Sequence, residues 1–167
     1  MLTTSLFMFA LAATGFAQAP VGYRTVYITS NVDPAFVIVP TTATAGAAIV
    51  VQARTSKPDQ QWYFKAGNTT IQYAGSTLCL DAGAESNWVD MASISLEECA
   101  ATAAGQQWVA MGDGRIALAG SSPQECVDLQ YMRATANNPV GLYSCAGLGN
   151  IGAADKGINW PLVNATL

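Results

Sequence analysis

Histidine is absent from the 167 residues, and charged side chains are scarce. Without an imidazole, the chain cannot use a histidine-containing catalytic triad, a histidine general base or a histidine metal ligand. Charged residues make up 11% of the sequence, against about 25% in ordinary globular chains. Seven basic and 11 acidic residues leave a net charge of −4, so a basic surface that could hold nucleic acid is not expected. These absences exclude most hydrolase mechanisms and make nucleic acid an unsuitable partner.

The sequence begins with a hydrophobic N-terminal stretch. Residues 1–17 hold no charged side chain and end in small residues, which is typical of a secretory signal peptide. Cleavage fits after Ala17 or Ala19, and cleavage after Ala17 avoids a proline at the first mature position. An apolar first helix is the alternative. We expect a signal peptide over 1–17, one domain over 18–167 and a secreted, extracellular protein without membrane insertion, since no later apolar run reaches about 18 residues.

The four cysteines are best explained as disulfides in such an oxidising compartment. Cys79 and Cys99 are 20 residues apart, and Cys126 and Cys145 are 19 apart. Pairing of neighbours would close two loops of nearly equal length, each stabilising the fold by about 3 kcal/mol. A four-thiolate zinc site would need CxxC pairs, and the sequence has none. We predict the disulfides Cys79–Cys99 and Cys126–Cys145, no metal site and no cofactor.

Short β-branched or alternating segments, separated by Gly, Pro, Asn, Asp and Ser, indicate strands. These segments are 36–39, 49–51, 70–73, 94–96 and 115–118. Asp113-Gly114 lies between segments 108–111 and 115–118 and predicts a hairpin, because glycine adopts the positive φ that such turns need. The alanine-rich segment 99–104 is too short to form a helix alone and is predicted to be a loop with one helical turn. The pattern indicates an all-β domain.

Two sequence blocks are repeated along the chain. Gln-Gln-Trp recurs, the third time as Ile-Asn-Trp, at 60–62, 106–108 and 158–160. A block of Cys, a hydrophobic residue and Asp, followed by a second Cys, occurs twice, at 79–99 and 126–145. The repeats divide the chain into three units of about 45 residues, 21–65, 66–111 and 112–167. Each unit is too small to bury its own apolar face, so the three must share one core, which predicts a β-trefoil of three pseudo-repeats.

These blocks resemble the ricin B-chain type lectin domain, and Leu78-Cys-Leu-Asp-Ala-Gly83 and Gly114-Arg-Ile-Ala-Leu118 are especially similar to its secreted fungal members. The resemblance covers residues 21–167 and is most specific in the second and third units. In the first unit, Val37-Ile-Val39 stands at the Cys-Leu-Asp position and both cysteines are missing. The resemblance implies a non-catalytic lectin for galactose or N-acetylgalactosamine-type glycans, with up to one shallow pocket in each unit.

In that family, the Asp of Cys-Leu-Asp accepts hydrogen bonds from two sugar hydroxyls, and an aromatic residue two positions before the second Cys covers the apolar sugar face. The resemblance therefore assigns Asp128 and Tyr143 to a third-unit site. An Asn before the last Trp completes the family's pocket. In this sequence, six extra residues lie between Cys145 and Trp160, where the family has this Asn. Nearby polar candidates for its role are Gln130, Asn137 and Asn138.

The second unit matches the family's pocket less well. Asp81 is present, but Glu97 stands where the aromatic residue should be, and two carboxylates would repel each other. Trp88, in the loop that follows, is an alternative platform for a sugar or else packs onto a neighbouring strand. A purely structural role is the alternative for the two aspartates as well, since Asp often bonds turn backbone.

An enzyme and a protein-binding β-trefoil are the other functional classes to compare with a lectin. An enzyme is not expected, because Glu97 and Glu98 are adjacent on a strand and point to opposite faces. A β-trefoil that binds a protein, such as a secreted protease inhibitor acting through the long loop before the last Trp, is the alternative to a glycan or glycoprotein partner.

Asn68-Thr-Thr and Asn164-Ala-Thr are glycosylation sequons, and we expect Asn68 to lie in an exposed turn.

Overall fold

A computed structural model describes residues 18–165 of the protein. The expected signal peptide, residues 1–17, lies outside the described residues. Within residues 18–165, no helix is long and apolar enough to cross a membrane.

The described residues form thirteen strands and short 3-10 helices. The strands are β1 (Arg24–Ile28), β2 (Phe36–Pro40), β3 (Ile49–Ala53), β4 (Trp62–Phe64), β5 (Gly67–Thr69), β6 (Gln72–Tyr73), β7 (Leu78–Asp81), β8 (Ser95–Glu98), β9 (Trp108–Ala110), β10 (Ile116–Leu118), β11 (Glu125–Leu129), β12 (Val140–Ser144) and β13 (Leu162–Asn164). The 3-10 helices are Pro58–Gln60, Glu85–Asn87, Ala104–Gln106, Gln130–Met132, Leu148–Asn150, Gly152–Ala154 and Lys156–Ile158.

The strands form a β-trefoil, as the repeats predict. The first and last strands of each unit follow one another around a barrel: β13, β1, β4 and β6 are hydrogen-bonded in one sheet, and β5, β9 and β10 in a second. An isolated antiparallel bridge connects Arg115, just before β10, with Asn159, in the segment that leads into β13. The two middle strands of each unit pair as hairpins, β2–β3, β7–β8 and β11–β12.

The predicted hairpin around Asp113-Gly114 is present. Strands β9 and β10 pair antiparallel with Ile116 opposite Ala110, and Gly114 adopts a φ of +97° in the turn. The alanine-rich segment is a loop that ends in a single 3-10 turn.

Asn68 does not lie in the turn that the sequence predicts. Its side chain is exposed, but its backbone belongs to β5, where it pairs with Val109 of β9. The predicted strand over 70–73 is correspondingly shorter, because only Gln72–Tyr73 pairs with β4. The partner of β5 is about 40 residues away along the chain, a distance at which a local propensity pattern carries no information.

Three buried tryptophans mark the three-fold arrangement of the core. Trp62, Trp108 and Trp160 are at most 1% exposed. Each indole N–H donates to a backbone carbonyl in the middle hairpin of its own unit, at Ile38 (2.9 Å), Leu80 (3.1 Å) and Val127 (2.8 Å). Ile38 therefore occupies the place of Leu80, which confirms that Val37-Ile-Val39 is the first unit's counterpart of Cys79-Leu-Asp81.

Both predicted disulfides are confirmed. Cys79 is bonded to Cys99 and Cys126 to Cys145, so each bond connects the first strand of a hairpin with the residue that follows its second strand. In the first unit, Val37 takes the cysteine position and is fully buried in a small cluster with Tyr27, Val39 and Val50. Apolar packing thus replaces the missing disulfide there.

Candidate functional site

A cavity of about 400 Å³ lies against the β11–β12 hairpin. We call it the third-unit pocket. Six of its eight lining residues have apolar or aromatic side chains and the other two are carboxylates: Met91, Asp128, Leu129, Tyr131, Met132, Tyr143, Leu148 and Asp155. Asp128 and Tyr143, which the resemblance assigns to one site, both line it.

The register of the hairpin explains why these two side chains meet. Cys126 of β11 is opposite Tyr143 of β12, and Asp128 is opposite Gly141. Residues two apart on a strand share a face, and residues opposite each other on paired strands also share a face. Asp128 and Tyr143 are therefore diagonal neighbours on one side of the hairpin. Gly141 opposite Asp128 adds no side chain between them.

Asp128 is buried without a donor. Its side chain is 7% exposed, and no group within residues 18–165 donates a hydrogen bond to its carboxylate. The equivalent carboxylate of the second unit is fully engaged: Asp81 accepts from the Gly83 amide (2.6 Å) and from Gln106 Nε2 (2.8 Å). The counterpart of Gln106 in the third unit is Ile158, which cannot donate. The diverged Ile-Asn-Trp sequence thereby leaves Asp128 open to the pocket.

The surroundings of Asp128 oppose its ionisation. Burial raises its pKa to about 7, and the nearby carboxylates of Asp155 and then Asp90 add to the rise. A buried carboxylate of this kind is a strong acceptor once a ligand supplies donors, because the local dielectric is low. Perturbed groups in clefts are also frequent at functional sites.

The long loop between Cys145 and Trp160, which holds the six extra residues and is called the inserted loop below, contacts the pocket through Asp155. Its Oδ2 accepts from the Leu148 amide at 2.6 Å and its Oδ1 from the Gly157 amide at 2.8 Å. A Cβ atom at Gly157 would lie 3.1 Å from Asp128 Oδ1, so glycine at this position leaves room beside the Asp128 carboxylate. The hydrogen bond from the Leu148 amide to Asp155 holds Leu148 in the inserted loop, and both residues line the pocket.

The apolar wall of the pocket is held in an uncommon backbone conformation. Met91, Tyr131 and Met132 have φ angles of +67°, +60° and +49°. Non-glycine residues in this region each cost on the order of 1 kcal/mol. Tyr131 is 72% exposed, so burial of its own side chain does not offset that cost. Strain of this kind concentrates at ligand sites, where it fixes side chains in advance of binding.

Gln130 and Asn138 do not line the third-unit pocket. Both are buried, and both donate to backbone carbonyls: Gln130 Nε2 to Met91 (3.2 Å) and Asn138 Nδ2 to Gln130 (2.8 Å). They hold the loop that carries Tyr131 and Met132. Their contribution to the site is to position its wall.

Asp81 of the second unit has a different environment from Asp128. It does not line the third-unit pocket, and its carboxylate accepts hydrogen bonds from the Gly83 amide and from Gln106 Nε2. Trp88 is half-buried and packs against the core, with its indole N–H donating to the Gly83 carbonyl at 3.2 Å. Glu97 Oε1 accepts from the Ser95 hydroxyl.

The two sequons lie on exposed strand residues. Asn68 is on β5, at the edge of its sheet. Asn164 is on β13, and its Oδ1 accepts a hydrogen bond from the Arg24 guanidinium at 2.6 Å. The last residue of the Asn164 sequon lies outside the described residues.

Comparison with known proteins supports this interpretation of the fold. A family model for the ricin-type beta-trefoil lectin domain matches residues 67–153. A search of curated protein sequences found no match. Similar solved structures include ThreeFoil, a designed three-fold symmetric protein, at 18% identity with a TM-score of 0.67, covering 84% of this chain and 98% of that one.

Two natural proteins show the same likeness. The C-half of the earthworm R-type lectin, solved in complex with GalNAc, is 15% identical with a TM-score of 0.65, covering 84% of this chain and 98% of that one. The β-trefoil lectin of the Vibrio vulnificus hemolysin/cytolysin, solved with N-acetyl-D-lactosamine bound, is 14% identical with a TM-score of 0.61, covering 87% and 97%. At these identities the structural likeness shows the fold alone, whereas the family match spans more than half of the sequence. The chain belongs to the ricin-type β-trefoil lectin domain family.

Proposed function

We propose that the protein is a secreted, non-catalytic lectin that binds galactose or N-acetylgalactosamine-type glycans in the third-unit pocket. The observation that carries the proposal is the pairing of Asp128, buried and without a donor, with Tyr143 in one cavity of about 400 Å³. Membership of a lectin family supports it. The earthworm and Vibrio domains, which hold GalNAc and N-acetyl-D-lactosamine, support the choice of sugar.

The two side chains have complementary roles in this proposal. Two adjacent sugar hydroxyls donate to the Asp128 carboxylate, whose oxygens can accept several hydrogen bonds. The Tyr143 ring covers the apolar face of the sugar and offers a large contact area at low entropic cost. Tyr131 and Met132, at the exposed side of the pocket, extend the apolar surface that a bound glycan would meet.

Binding should depend on pH through Asp128. Sugar hydroxyls donate hydrogen bonds, so they favour the ionised carboxylate over the protonated one. Because the pKa of free Asp128 is raised to about 7, affinity should rise as the pH is increased through 7 and fall below it. This dependence distinguishes the site from one that uses a fully ionised surface aspartate.

Calorimetric titration with methyl galactoside and GalNAc tests the proposal. The purified protein is compared with Asp128→Ala and with the matched control Asp81→Ala in the second unit. We expect Asp128→Ala to weaken binding by about 1 to 3 kcal/mol, because sugar hydroxyls would be desolvated without an acceptor. Asp81→Ala should retain wild-type affinity if it stays folded. Full binding by Asp128→Ala would refute the site.

One observation favours a second candidate, a protein-binding role for the inserted loop. Leu148 and Ile151 on that loop are 59% and 55% exposed, and exposed apolar side chains on a long loop suit contact with a protein surface. This candidate predicts inhibition of a protease that is lost in Leu148→Asp, together with no binding on a glycan array. Binding to galactosides with unchanged affinity in Ile151→Asp would favour the lectin instead.

A further inference from the structure

A second cavity lies where the second and third units meet, and it shares no residue with the third-unit pocket. Its volume is about 510 Å³. The second unit contributes Trp88, Val89 and Asp90, and the third unit contributes Pro123, Glu125 and Ser144. We call it the inter-unit cavity.

Glu125 is the unusual group in this cavity. Its side chain is 3% exposed, and its Oε2 atom is buried with no hydrogen-bond partner among the described residues. The backbone around it is fixed, since its amide donates to Ser121 Oγ at 2.8 Å and it pairs with Ser144 at the start of β11. Buried polar atoms in folded proteins nearly always have a partner. Within residues 18–165, the Glu125 carboxylate is therefore an acceptor whose Oε2 atom has no donor.

A second carboxylate lies at the same cavity. Asp90 is exposed, and its Oδ1 is held by the Ser144 amide at 2.7 Å. No Lys or Arg side chain lines the cavity, and the salt bridge found within residues 18–165 joins Arg115 to Asp113 instead. Burial, and then the charge of Asp90, raise the pKa of Glu125, as expected for two carboxylates that share a site without a cation.

Trp88 is the aromatic residue that lines the same cavity. It is half-buried, and its indole N–H is engaged by the Gly83 carbonyl at 3.2 Å, which fixes the ring. The face of an indole attracts cations more strongly than other aromatic side chains do. A buried acceptor, a second negative charge and a tryptophan ring together match a cation that can also donate hydrogen bonds.

We propose that the inter-unit cavity binds a protonated primary amine, with its N–H groups donating to the Glu125 carboxylate beside Asp90 and Trp88. A neutral hydroxyl could donate to a carboxylate but has no positive charge to be attracted by the second one. A quaternary ammonium would gain from both charges and from the indole but has no N–H group to donate. The amine can come from an amino sugar or from a lysine side chain, and the cavity's role does not depend on the third-unit pocket.

Nuclear magnetic resonance of the ¹⁵N-labelled full chain tests this proposal at neutral pH. The indole N–H signal of Trp88 is the reporter, and the three core tryptophans are internal references because they are at most 1% exposed. The probes are glucosamine and Nα-acetyl-lysine methylamide, with N-acetylglucosamine and tetramethylammonium as controls that lack the charge or the N–H donors. We expect a saturable Trp88 shift with a primary amine and at least about tenfold weaker binding of both controls. The tighter of the two amines identifies the source.

Three variants complete the test. Glu125→Gln keeps the shape and should weaken amine binding about tenfold or more, and Asp90→Asn, which is exposed and can keep the Ser144 contact, should weaken it by a smaller factor. Glu85→Gln, in the same loop but outside the cavity lining, should bind as wild type does. If Glu125→Gln does not fold, Asp90→Asn decides. No Trp88 shift with either amine, or undiminished binding in the folded Glu125 and Asp90 variants, would overturn the proposal.

Discussion

Replacing Asp128 with asparagine should stabilise the protein at neutral and alkaline pH while weakening its sugar binding. Asparagine has nearly the shape of the protonated carboxyl group but cannot ionise. The pKa of Asp128 rises from an ordinary 3.8 to about 7 in the folded protein. At about 1.4 kcal/mol for each pKa unit, the rise corresponds to about 4 kcal/mol.

The sign of the effect follows from where the proton is held. Between about pH 4 and pH 7 the unfolded chain has released the proton and the folded protein keeps it. The contribution of Asp128 to stability is thus fully present below about pH 4 and is lost as the pH rises through about 7. Wild type and Asp128→Asn should be similar at pH 4, and the variant should be more stable at pH 8 by up to about 4 kcal/mol.

Urea unfolding followed by the fluorescence of the buried core tryptophans, at pH 4, 6 and 8, measures this difference. The matched control is Asp81→Asn, because Asp81 accepts hydrogen bonds from Gly83 and Gln106. That change should destabilise the protein by about 1 to 3 kcal/mol at pH 8. An Asp128→Asn protein that is less stable than wild type at pH 8, or a difference that does not vary with pH, would refute the reasoning and indicate a structural aspartate.

Three further predictions concern the pocket wall, the disulfides and the surface. Tyr143→Ala should weaken galactoside binding about tenfold through loss of the apolar platform, while Tyr143→Phe retains it, as calorimetry will show; equal affinities would exclude Tyr143 from the site. Replacing Cys126 and Cys145 with alanine should lower the free energy of unfolding by about 3 kcal/mol, and an unchanged urea midpoint would contradict this. Expressed through a eukaryotic secretory pathway, the protein should carry a glycan at Asn68 that the Asn68→Gln variant lacks; an unshifted peptide mass after deglycosylation would count against secretion.

The three-fold fold was accessible from the sequence because its core contacts are repeated in it. Each Trp of the repeated block donates a hydrogen bond to a backbone carbonyl in the middle hairpin of its own unit. The repeated block therefore indicates a tertiary contact as well as a local strand propensity. The meeting of Asp128 and Tyr143 was predicted from the resemblance to the lectin family, and the register of β11 and β12 gives its structural reason. By contrast, the split between β5 and β6 depends on pairing with distant strands.

The rest of the site could not be predicted from local pattern. Tyr131 and Met132 face the pocket because their backbone adopts positive φ, a conformation that neither residue type favours. Asp155 reaches the pocket through hydrogen bonds within an inserted loop. Gln130 and Asn138 were reasonable polar candidates, but buried backbone carbonyls nearby engage both amides. The sequence shows that Ile158 replaces the repeated Gln. That this replacement leaves Asp128 without a donor becomes clear only from the structure, in which Gln106 donates to Asp81.

Mapping of galactoside binding on the ¹⁵N-labelled protein by nuclear magnetic resonance tests the central claim most directly. One saturable site is expected, with the largest amide shifts at Gly141, Tyr143 and Leu148 around the third-unit pocket and none at Asp81. The affinity should be greater at pH 8 than at pH 5. Shifts centred on the second unit, or no saturable shift with any galactoside at pH 8, would contradict the account.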